Sequence, residues 1–404
     1  MKFVPLGSIA DIQLGKMLSP KAKTGGASSF PYLRNQNVQW GRIKISDLAE
    51  MDFSDREREK FSLCAGDLLI CEGGEPGRCS VWQGQLSNCY YQKALHRVRP
   101  YAGVADPEFL SLWIRHQAFT GAFEGENAKT TIAHLPLVRL EQLSVPDLDI
   151  DEQRRIAADL KAQLVAVAQA REMVTAQLGD VESLRLAIYR SVEQTMFNTS
   201  ELVPFGQLVI SYRNGFGTRP RAGEAGPIVL RIADVSSGVI SIDDPRRGEV
   251  SARDAATYEL VEGDLLFVRV NGTKSIVGRC CVVDADIPAD TIFNDHLIRV
   301  RLRERVDPAF ARLCVSLPSA RLSIEEAAST SAGQLTVNQL ILGAIELPLL
   351  PMVEQRKVVR EVQGQLAAIE QMRQGIAAQL ADIRQLPARL LAQAFHPTDE
   401  GTSA

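Results

Sequence analysis

The sequence predicts an α+β fold in which two similar mixed α/β domains lie at opposite ends of an antiparallel two-helix coiled coil. The two halves would be related by internal duplication with pseudo-twofold symmetry. Two observations predict this fold. Short motifs recur in the same order about 200 residues apart, and each copy ends in a long segment with heptad spacing of apolar residues. Because solenoid repeats run at roughly 20 to 50 residues, this spacing indicates a duplicated domain.

Five motifs carry the duplication. They are Val-Pro-Leu-Gly at 4–7 and Val-Pro-Phe-Gly at 203–206, Gly-Asp-Leu-Leu at 66–69 and 263–266, Gly-Arg-Cys at 77–79 and 278–280, Asp-Pro-x-Phe at 106–109 and 307–310, and Glu-Gln-Arg at 152–154 and 354–356.

Composition indicates an ordinary globular protein. Of its 404 residues, 45% are hydrophobic and 23% charged, and the length suits two to four domains. Its apolar runs fall far short of the roughly 18 residues of a membrane span, and the first motif begins at residue 4, so we expect a cytoplasmic protein without a signal peptide. The seven cysteines include no Cys-x-x-Cys pair, which favours reduced thiols over zinc or disulfides.

The distribution of charge matters more than its sum. A net charge of −4 argues against a free-standing, non-specific nucleic-acid binder. Residues 201–350 nevertheless contain fifteen Arg and one Lys. Arginine presents a planar donor fork that suits phosphate and guanine edges, although a genome that prefers Arg codons would also explain part of this bias.

Each copy begins with a globular part, predicted over 1–150 and 196–351. Apolar segments at 68–71 and 265–268 follow a Gly-Asp turn and are predicted strands, as are the segments that follow the Gly-rich loops, at 79–82 and 280–283. The loop at 73–78 is interpreted as a hairpin turn rather than a phosphate loop. In both copies Asp-Pro predicts a helix start, with Asp as N-cap and Pro at the first helical position.

Each copy ends in a predicted long helix, over 151–195 and 352–396, and residues 397–404 are predicted to be disordered. Apolar residues in the helices alternate in steps of four and three, which is typical of a coiled-coil seam. The predicted seam comprises Leu160, Leu164, Val167, Val174, Leu178, Val181 and Ile188 in the first helix, and Val362, Leu366, Ile369, Ile376, Leu380, Ile383 and Leu390 in the second. Pro387 should end or kink the second helix.

Connectivity favours an antiparallel pair. Helices of roughly 42 residues are about 60 Å long, so a parallel pair would force the second domain to carry the chain back over that distance. In an antiparallel pair the second domain simply joins neighbouring helix ends. The helices would then hold the domains at a fixed separation. The alternative is a long amphipathic helix packed on its own domain.

Taken together, these features resemble the DNA-specificity subunit of type I restriction–modification systems. The resemblance depends on Leu-Ser-Val-Pro at 143–146 before Asp-Glu-Gln-Arg-Arg-Ile at 151–156, and on Ile-Glu-Leu-Pro at 345–348 before Val-Glu-Gln-Arg-Lys-Val at 353–358. The Gly-Asp-Leu-Leu motifs also fit. Residues 146–149 depart from the family pattern, because a second Pro is usual there.

This resemblance implies that each globular part is a target-recognition domain that reads one half of a bipartite site in double-stranded DNA. It implies that the helices set the spacer and bind two modification (methyltransferase) subunits, with restriction/translocase subunits as further partners. S-adenosylmethionine, ATP and Mg would then act in the partner subunits. No cofactor is expected in this chain, which would not be an enzyme itself.

The residues agree with this expectation independently of the resemblance. The sequence has no Walker A phosphate loop, no Asn-Pro-Pro-Tyr-like adenine pocket and no Pro-Asp…Glu-x-Lys nuclease cluster. The scattered histidines predict no metal site, and His96 and His296 are interpreted as residues that pack or make a satisfied hydrogen bond, rather than as catalytic residues. Two alternatives stay open: an atypical or fused DNA methyltransferase or nuclease with an unrecognised catalytic motif, and a coiled-coil scaffold without a DNA role.

Base readout needs long polar side chains that project from loops into a groove. Three segments in each domain qualify, together with the second Gly-rich loop. Candidate DNA-binding residues are Lys21, Lys23, Arg34, Asn35, Gln36, Lys129, Thr130, Thr131 and His134 in the first domain, and Arg213, Asn214, Arg219, Arg221, Arg231, Asn271, Lys274, Gln334, Thr336 and Asn338 in the second. Lys16, Thr24, Asn37 and Thr218 belong to the same segments.

Overall fold

A computed structural model describes residues 2–18, 29–123, 134–217, 221–222, 225–331 and 333–395, with only the backbone given for 221–222 and 330–331. The chain divides into two compact units. Unit 1 comprises the residues up to 175 together with those from 378 onward, and unit 2 comprises residues 176–377.

Unit 1 is a mixed α/β domain whose elements are short. Its strands are β1 (Phe3–Pro5), β2 (Ala10–Leu14), β3 (Ser29–Leu33), β4 (Val38–Gln39), β5 (Arg42–Ile43), β6 (Ala49–Asp52), β7 (Leu68–Cys71), β8 (Cys79–Val81), β9 (Tyr90–Tyr91), β10 (Leu95–Pro100) and β11 (Ser144–Pro146). Its helices are α1 (Leu6–Ile9), α2 (Asp55–Lys60), α3 (Pro107–Phe119) and α4 (Leu137–Glu141), with a 3₁₀ turn at Asn35–Asn37.

An antiparallel sheet in the order β2-β10-β7-β8 forms the frame of unit 1. Alternate residues of β7 enter different apolar clusters: Ile70 packs with α3, whereas Leu69 packs with β3 and β9. The sheet is therefore buried on both faces, as its uninterrupted apolar strands require. The predicted hairpin at 73–78 is confirmed, because it connects the paired strands β7 and β8.

Both predicted helix starts are confirmed. In α3, the Asp106 carboxylate accepts hydrogen bonds from the backbone N–H groups of Glu108 and Phe109, and Pro107 occupies the first turn. The Asp307 carboxylate caps the corresponding helix of unit 2 in the same way. An N-cap carboxylate satisfies N–H groups that have no partner within the helix, so the chain begins a helix at each Asp-Pro.

The first long helix, α5, extends over Ile150–Thr199 and continues from unit 1 into unit 2. It begins one residue before the predicted start at 151 and ends beyond the predicted end at 195. Residues 196–199, which were assigned to the second domain, are therefore helical. Met196 is buried in the unit 2 core, which explains why the helix continues there.

Unit 2 repeats the plan of unit 1. Its strands are β12 (Glu201–Pro204), β13 (Val209–Asn214), β14 (Arg221–Ala222), β15 (Ile228–Leu230), β16 (Gly248–Glu249), β17 (Leu265–Val268), β18 (Val270–Asn271), β19 (Cys280–Val282), β20 (Thr291–Phe293), β21 (Leu297–Leu302), β22 (Ser329–Ser331), β23 (Gln334–Thr336) and β24 (Glu346–Leu349). Its helices are α6 (Ile232–Val235), α7 (Ala252–Tyr258), α8 (Pro308–Val315), α9 (Pro318–Ala327) and α10 (Gln339–Gly343), with a 3₁₀ turn at Phe205–Leu208.

The duplication is confirmed by the sheets. Order β13-β21-β17-β19 in unit 2 matches β2-β10-β7-β8 in unit 1, and β12–β24 matches β1–β11. Unit 2 also contains a three-stranded sheet, β18-β23-β22, and in unit 1 an antiparallel bridge between Gly73 and His134 joins the corresponding segments. The sequence did not predict it, because its pairing joins the second Gly-rich loop to a segment more than 50 residues later.

The second long helix, α11, extends over Met352–Phe395. In unit 1, the start of α5 and the end of α11 share one core, where Leu160 is clustered with Leu391 and Phe395. In unit 2, the end of α5 and the start of α11 share the other, where Met196 is clustered with Val362. This pairing of ends is that of antiparallel helices. Each predicted seam residue, 160 to 188 and 362 to 390, is buried or half-buried.

Pro387 lies inside α11 and does not end it, in agreement with the helix predicted over 352–396. The helix continues to Phe395, whose ring lies 5.0 Å from that of Trp113 and 5.8 Å from that of Phe109. Burial of Leu391 and Phe395 offsets the missing backbone hydrogen bond. Residues 397–404, predicted to be disordered, lie outside the described residues. Across the described chain, none of the helices combines the length and apolar character needed to span a bilayer.

Candidate DNA interface

The Glu-Gln-Arg motif is the joint between each domain and its long helix. The side-chain oxygen of Gln153 accepts a hydrogen bond from the backbone N–H of Asp106 at 2.9 Å, and its amide donates to the carbonyls of Val104 and Leu148. Side chains that bridge a helix start, a loop and a strand end in this way fix where the helix leaves the domain.

Gln355 makes the same three bonds in unit 2, with Asp307, Arg305 and Leu350. Like Gln153 it is almost fully buried. Burial without partners would be costly for an amide, so both glutamines are structural residues. The repeated Glu-Gln-Arg motif therefore has a structural role and is not one of the candidate DNA-binding segments.

A second repeated device holds the second candidate segment of each unit, which is at 34–37 in unit 1 and at Arg231 in unit 2. The backbone N–H of Arg34 donates to the Asn37 side chain at 3.0 Å, and its guanidinium donates to the Asp47 carbonyl at 3.0 Å and to the Asp47 carboxylate. Asn37 is buried, and its amide donates to the Lys44 and Asp47 carbonyls. Gln36 also donates to Asp47, at 3.0 Å.

Arg231 has the equivalent position in unit 2. Its backbone N–H and its guanidinium both bond Asp234, and its guanidinium also donates to the Asp244 carbonyl at 3.1 Å. Hydrogen bonding to Asp234 raises the pKa of the Arg231 guanidinium. Both arginines were predicted to contact DNA. In the structure both guanidinium groups hydrogen-bond within their own loops and so help to shape the segment, and their contact with DNA stays a prediction.

Lys16 was also a candidate, and the structure places it elsewhere. Its ammonium donates to the Asp52 carbonyl and pairs with Glu57 at 2.8 Å, and it lies over the Phe53 ring. Its side chain is only 12% exposed. Lys16 is therefore part of the packing of unit 1.

In unit 1 the structure brings two candidate segments to the Gly-rich loop. Arg78, in that loop, donates to the Asn35 carbonyl at 2.9 Å and pairs with Glu75 at 2.9 Å. His134, which is exposed, forms a β-bridge with Gly73 on the same loop. Asn35, His134 and the 73–78 loop thus form one surface.

Sequence reasoning missed the residues that hold this surface together. The Trp40 indole donates to Glu75 at 2.8 Å, which connects the turn between β4 and β5 to the 73–78 loop. Arg279 repeats the role of Arg78 in unit 2, where it donates to the Ser236 carbonyl at 2.7 Å. The repeated Gly-Arg-Cys motif is the feature of the sequence that could have identified both arginines.

In unit 2 the three-stranded sheet β18-β23-β22 joins the second Gly-rich loop to the third candidate segment, as the Gly73–His134 bridge does in unit 1. Asn271 pairs with Leu335 by register, so it lies beside Gln334 and Thr336. Gln334 and Lys274 are exposed, and Thr336 is half-buried. The Asn338 side chain accepts from the Ile341 N–H at 2.9 Å, so this candidate caps α10.

Arg213 and Asn214 are exposed at the end of β13. The other candidates lie outside the described residues or are described by backbone alone. Lys21, Lys23, Thr24, Lys129, Thr130, Thr131, Thr218 and Arg219 belong to the first group, and Arg221, paired with Glu249 through β14 and β16, belongs to the second.

The histidines and cysteines make no reactive cluster in the described chain. The Nε2–H of His96 donates to the Leu135 carbonyl at 2.8 Å, and burial lowers the pKa of this fully buried ring. His296 is exposed. All seven cysteines are free, and no group of three or more side chains among the described residues is placed to hold a metal ion.

Comparison with known proteins agrees with the fold. No family model matches the chain. The chain is 24% identical over 391 residues to the Escherichia coli (strain K12) type I restriction enzyme EcoKI specificity subunit, covering 91% of this chain and 82% of that protein. It is 22% identical over 380 residues to the Salmonella potsdam StySPI specificity subunit, covering 91% and 81%.

Two solved structures have a similar fold. One comes from work on complex assembly and conformational transition of the type I R-M system, with a TM-score of 0.77 at 16% identity and 98% and 97% coverage. The other is the HsdS subunit from Thermoanaerobacter tengcongensis, with a TM-score of 0.59 at 17% identity and 98% and 96% coverage. Over most of its length, and in its duplicated fold, this chain is therefore similar to the specificity subunits of type I restriction–modification systems.

Proposed function

We propose that this chain selects the DNA sequence on which a type I restriction–modification complex acts, and that each unit reads one half of a bipartite site in double-stranded DNA. One observation carries the proposal. The same frame occurs twice, with matching sheets, Gln joints and arginine-held segments, whereas the exposed polar residues on that frame differ between units. A repeated scaffold with different loops suits two different half-sites.

Surface chemistry supports readout by loops. The exposed groups on the candidate surfaces include amides, hydroxyls and basic side chains, which match the donor and acceptor pattern of base edges in the major groove, although Asp47 and Glu75 are exposed there as well. In unit 1 they surround the 73–78 loop, and in unit 2 they lie on the β18-β23-β22 sheet and at the end of β13.

In this proposal other subunits perform the chemistry. Two modification subunits would bind S-adenosylmethionine and methylate adenine, and restriction subunits would supply ATP- and Mg-dependent translocation and cleavage. Net charge −4 is unfavourable for DNA binding by the isolated chain, so we expect tight binding only in the complex. The alternative, a fused or atypical methyltransferase or nuclease, is not favoured, because the relatives are specificity subunits.

The test is co-expression with a modification subunit, followed by mapping of methylated adenines on DNA. The expected result is a bipartite motif with a fixed spacer. Changing Arg219 or Arg221 to Ala should relax one half of the motif only, because a bidentate hydrogen bond to a base is worth roughly 1–3 kcal/mol of discrimination. S-adenosylmethionine bound by the isolated chain, or equal loss at both halves, would contradict the proposal.

A further inference from the structure

The central strand pair of unit 1 carries balanced charge. On β10, Arg97 pairs with Asp11 of β2, and Arg99 pairs with the buried Asp67 at 2.7 Å. Two guanidinium groups therefore face two carboxylates, each with its own partner.

The equivalent pair in unit 2 has one carboxylate fewer. Strand register places Asp11 opposite Arg99 in unit 1 and Ser211 opposite Arg301 in unit 2, so Ser211 replaces the acid. Asp264 is left as the shared carboxylate: it lies 2.8 Å from Arg301 and 4.0 Å from Arg299.

Unit 2 also has an additional positive charge on this pair. Arg97 lies opposite Gln13 in unit 1, whereas Arg299 lies opposite Arg213 in unit 2. Cross-strand neighbours of like charge destabilise a sheet. Arg213 is therefore a third guanidinium group on a strand pair whose carboxylate, Asp264, already pairs with Arg301 and Arg299, and it has no evident role in the stability of the fold.

Among the described residues, the ionic partner of Arg299 is Asp264, at 4.0 Å, which it shares with Arg301. The Arg299 side chain is 6% exposed, donates to the Glu259 carbonyl and lies over the Phe293 ring, and its Nε has no hydrogen-bond partner. Arg213 is exposed and forms no ion pair with any described residue. Arg213 immediately precedes Asn214, the last residue of β13, and both are candidate DNA-binding residues.

We propose that Arg213, with Arg299 opposite it on β21, forms a binding site for a DNA backbone phosphate in unit 2, without a counterpart at Gln13 in unit 1. The inference rests on the proposed function. A guanidinium fork matches a phosphate, and the second buried charge strengthens the local positive potential. Such a contact positions the domain on the duplex without reading its sequence.

The test uses the full chain assembled with its modification subunit, and compares Arg213→Gln with the parent complex. Gln is the residue that unit 1 has at this position. Affinity is measured by fluorescence anisotropy for a duplex with the mapped site and for a scrambled duplex, over a series of salt concentrations. We expect affinity to fall about 5- to 10-fold at roughly 0.1 M salt on both duplexes, and the log–log salt slope to fall by about 0.9.

Two further variants separate the site from a general change in charge. Arg213→Lys keeps a positive charge and should retain most of the affinity and the slope. Arg303→Gln removes an exposed arginine just beyond the opposite end of β21, and should leave both nearly unchanged. The melting temperature of the DNA-free Arg213→Gln complex should not fall, because the change relieves repulsion between like charges.

An Arg213→Gln complex that binds like Arg303→Gln would overturn the phosphate site. Weakening confined to the mapped duplex would also overturn it, since that result identifies a base contact. A parent complex that fails to distinguish the two duplexes would count against the proposed function. The salt slope could still be measured on either duplex in that case, so it would still decide whether the phosphate site exists.

Discussion

One buried glutamine holds each long helix to its domain, and its removal should be costly. Gln153→Leu would leave the Asp106 N–H and the Val104 and Leu148 carbonyls without this partner. Buried groups without partners cost about 1–3 kcal/mol each, so we expect the free energy of unfolding to decrease by about 2–4 kcal/mol. Chemical denaturation measures this, with the exposed Gln163→Leu as the matched control on the same helix. Equal stability of the two variants would contradict the structural role.

The cysteines should differ sharply in reactivity at neutral pH. Cys64 is exposed, whereas burial raises the pKa of Cys71 to about 11 and the pKa values of Cys79 and Cys281 to about 12. Thiolate is the reactive form, so a maleimide should label Cys64 first and the buried thiols only after unfolding. Peptide mass spectrometry determines the order of labelling, and rapid labelling of Cys281 in the folded protein would contradict it.

The same burial has a consequence for stability. Thiols that stay neutral in the fold stabilise it fully below their unfolded pKa near 9, and this contribution is lost as the pH rises toward 11–12. The unfolding free energy should therefore decrease above about pH 9, which denaturation at a series of alkaline pH values would show.

The contacts that candidate interface residues make within the fold could not be predicted from the sequence, and Arg34 and Arg231 show why. Residue type and loop position made both arginines plausible DNA contacts. Their acceptors, Asp47 and Asp244, become neighbours only once the loop closes. Charge and spacing in a sequence do not reveal which arginines are already satisfied within the fold, whereas a repeated Glu-Gln-Arg before a long helix could be recognised directly.

Among the elements, α11 offers a direct test of what holds a helix through a proline. Pro387 removes a backbone donor from the helix interior, yet α11 continues to Phe395. Pro387→Ala should restore that hydrogen bond and stabilise the protein by about 1–3 kcal/mol. Denaturation midpoints measure the change, with the exposed Ala388→Gly as a control that should destabilise the same turn. A less stable Pro387→Ala variant would mean that the proline is needed to seat Phe395 against Trp113.

Elements formed by local patterns were predictable, and those formed by distant pairing were not. Strands after Gly-Asp, helices after Asp-Pro and the two long helices depend on signals within a few residues. The β18-β23-β22 sheet depends on Asn271 meeting Leu335, a pairing that no local pattern encodes. Burial of Leu391 and Phe395 in the unit 1 core likewise allows α11 to continue past Pro387, although proline favours a break in a helix.

At the scale of the whole molecule, the two helices should determine which spacer the complex accepts. The boundary between the compact units crosses α5 after residue 175 and α11 after residue 377. A heptad added to both helices at this boundary, by repeating 170–176 and 371–377, keeps each seam in register. It adds about 10.5 Å to each helix, which corresponds to about three base pairs at roughly 3.4 Å each.

Methylation mapping should then show a longer preferred spacer with both half-site sequences unchanged. A heptad in α5 alone is the matched control, because it leaves seven residues of seam without a partner and should impair assembly. Each added base pair also turns the half-site by about 34° around the duplex, since a turn takes about 10–10.5 base pairs, so the new preference should be narrow. If the doubly extended protein assembles and still methylates the original spacer, the helices do not set the spacing. Recognition of the spacer would then have to depend on the domains alone.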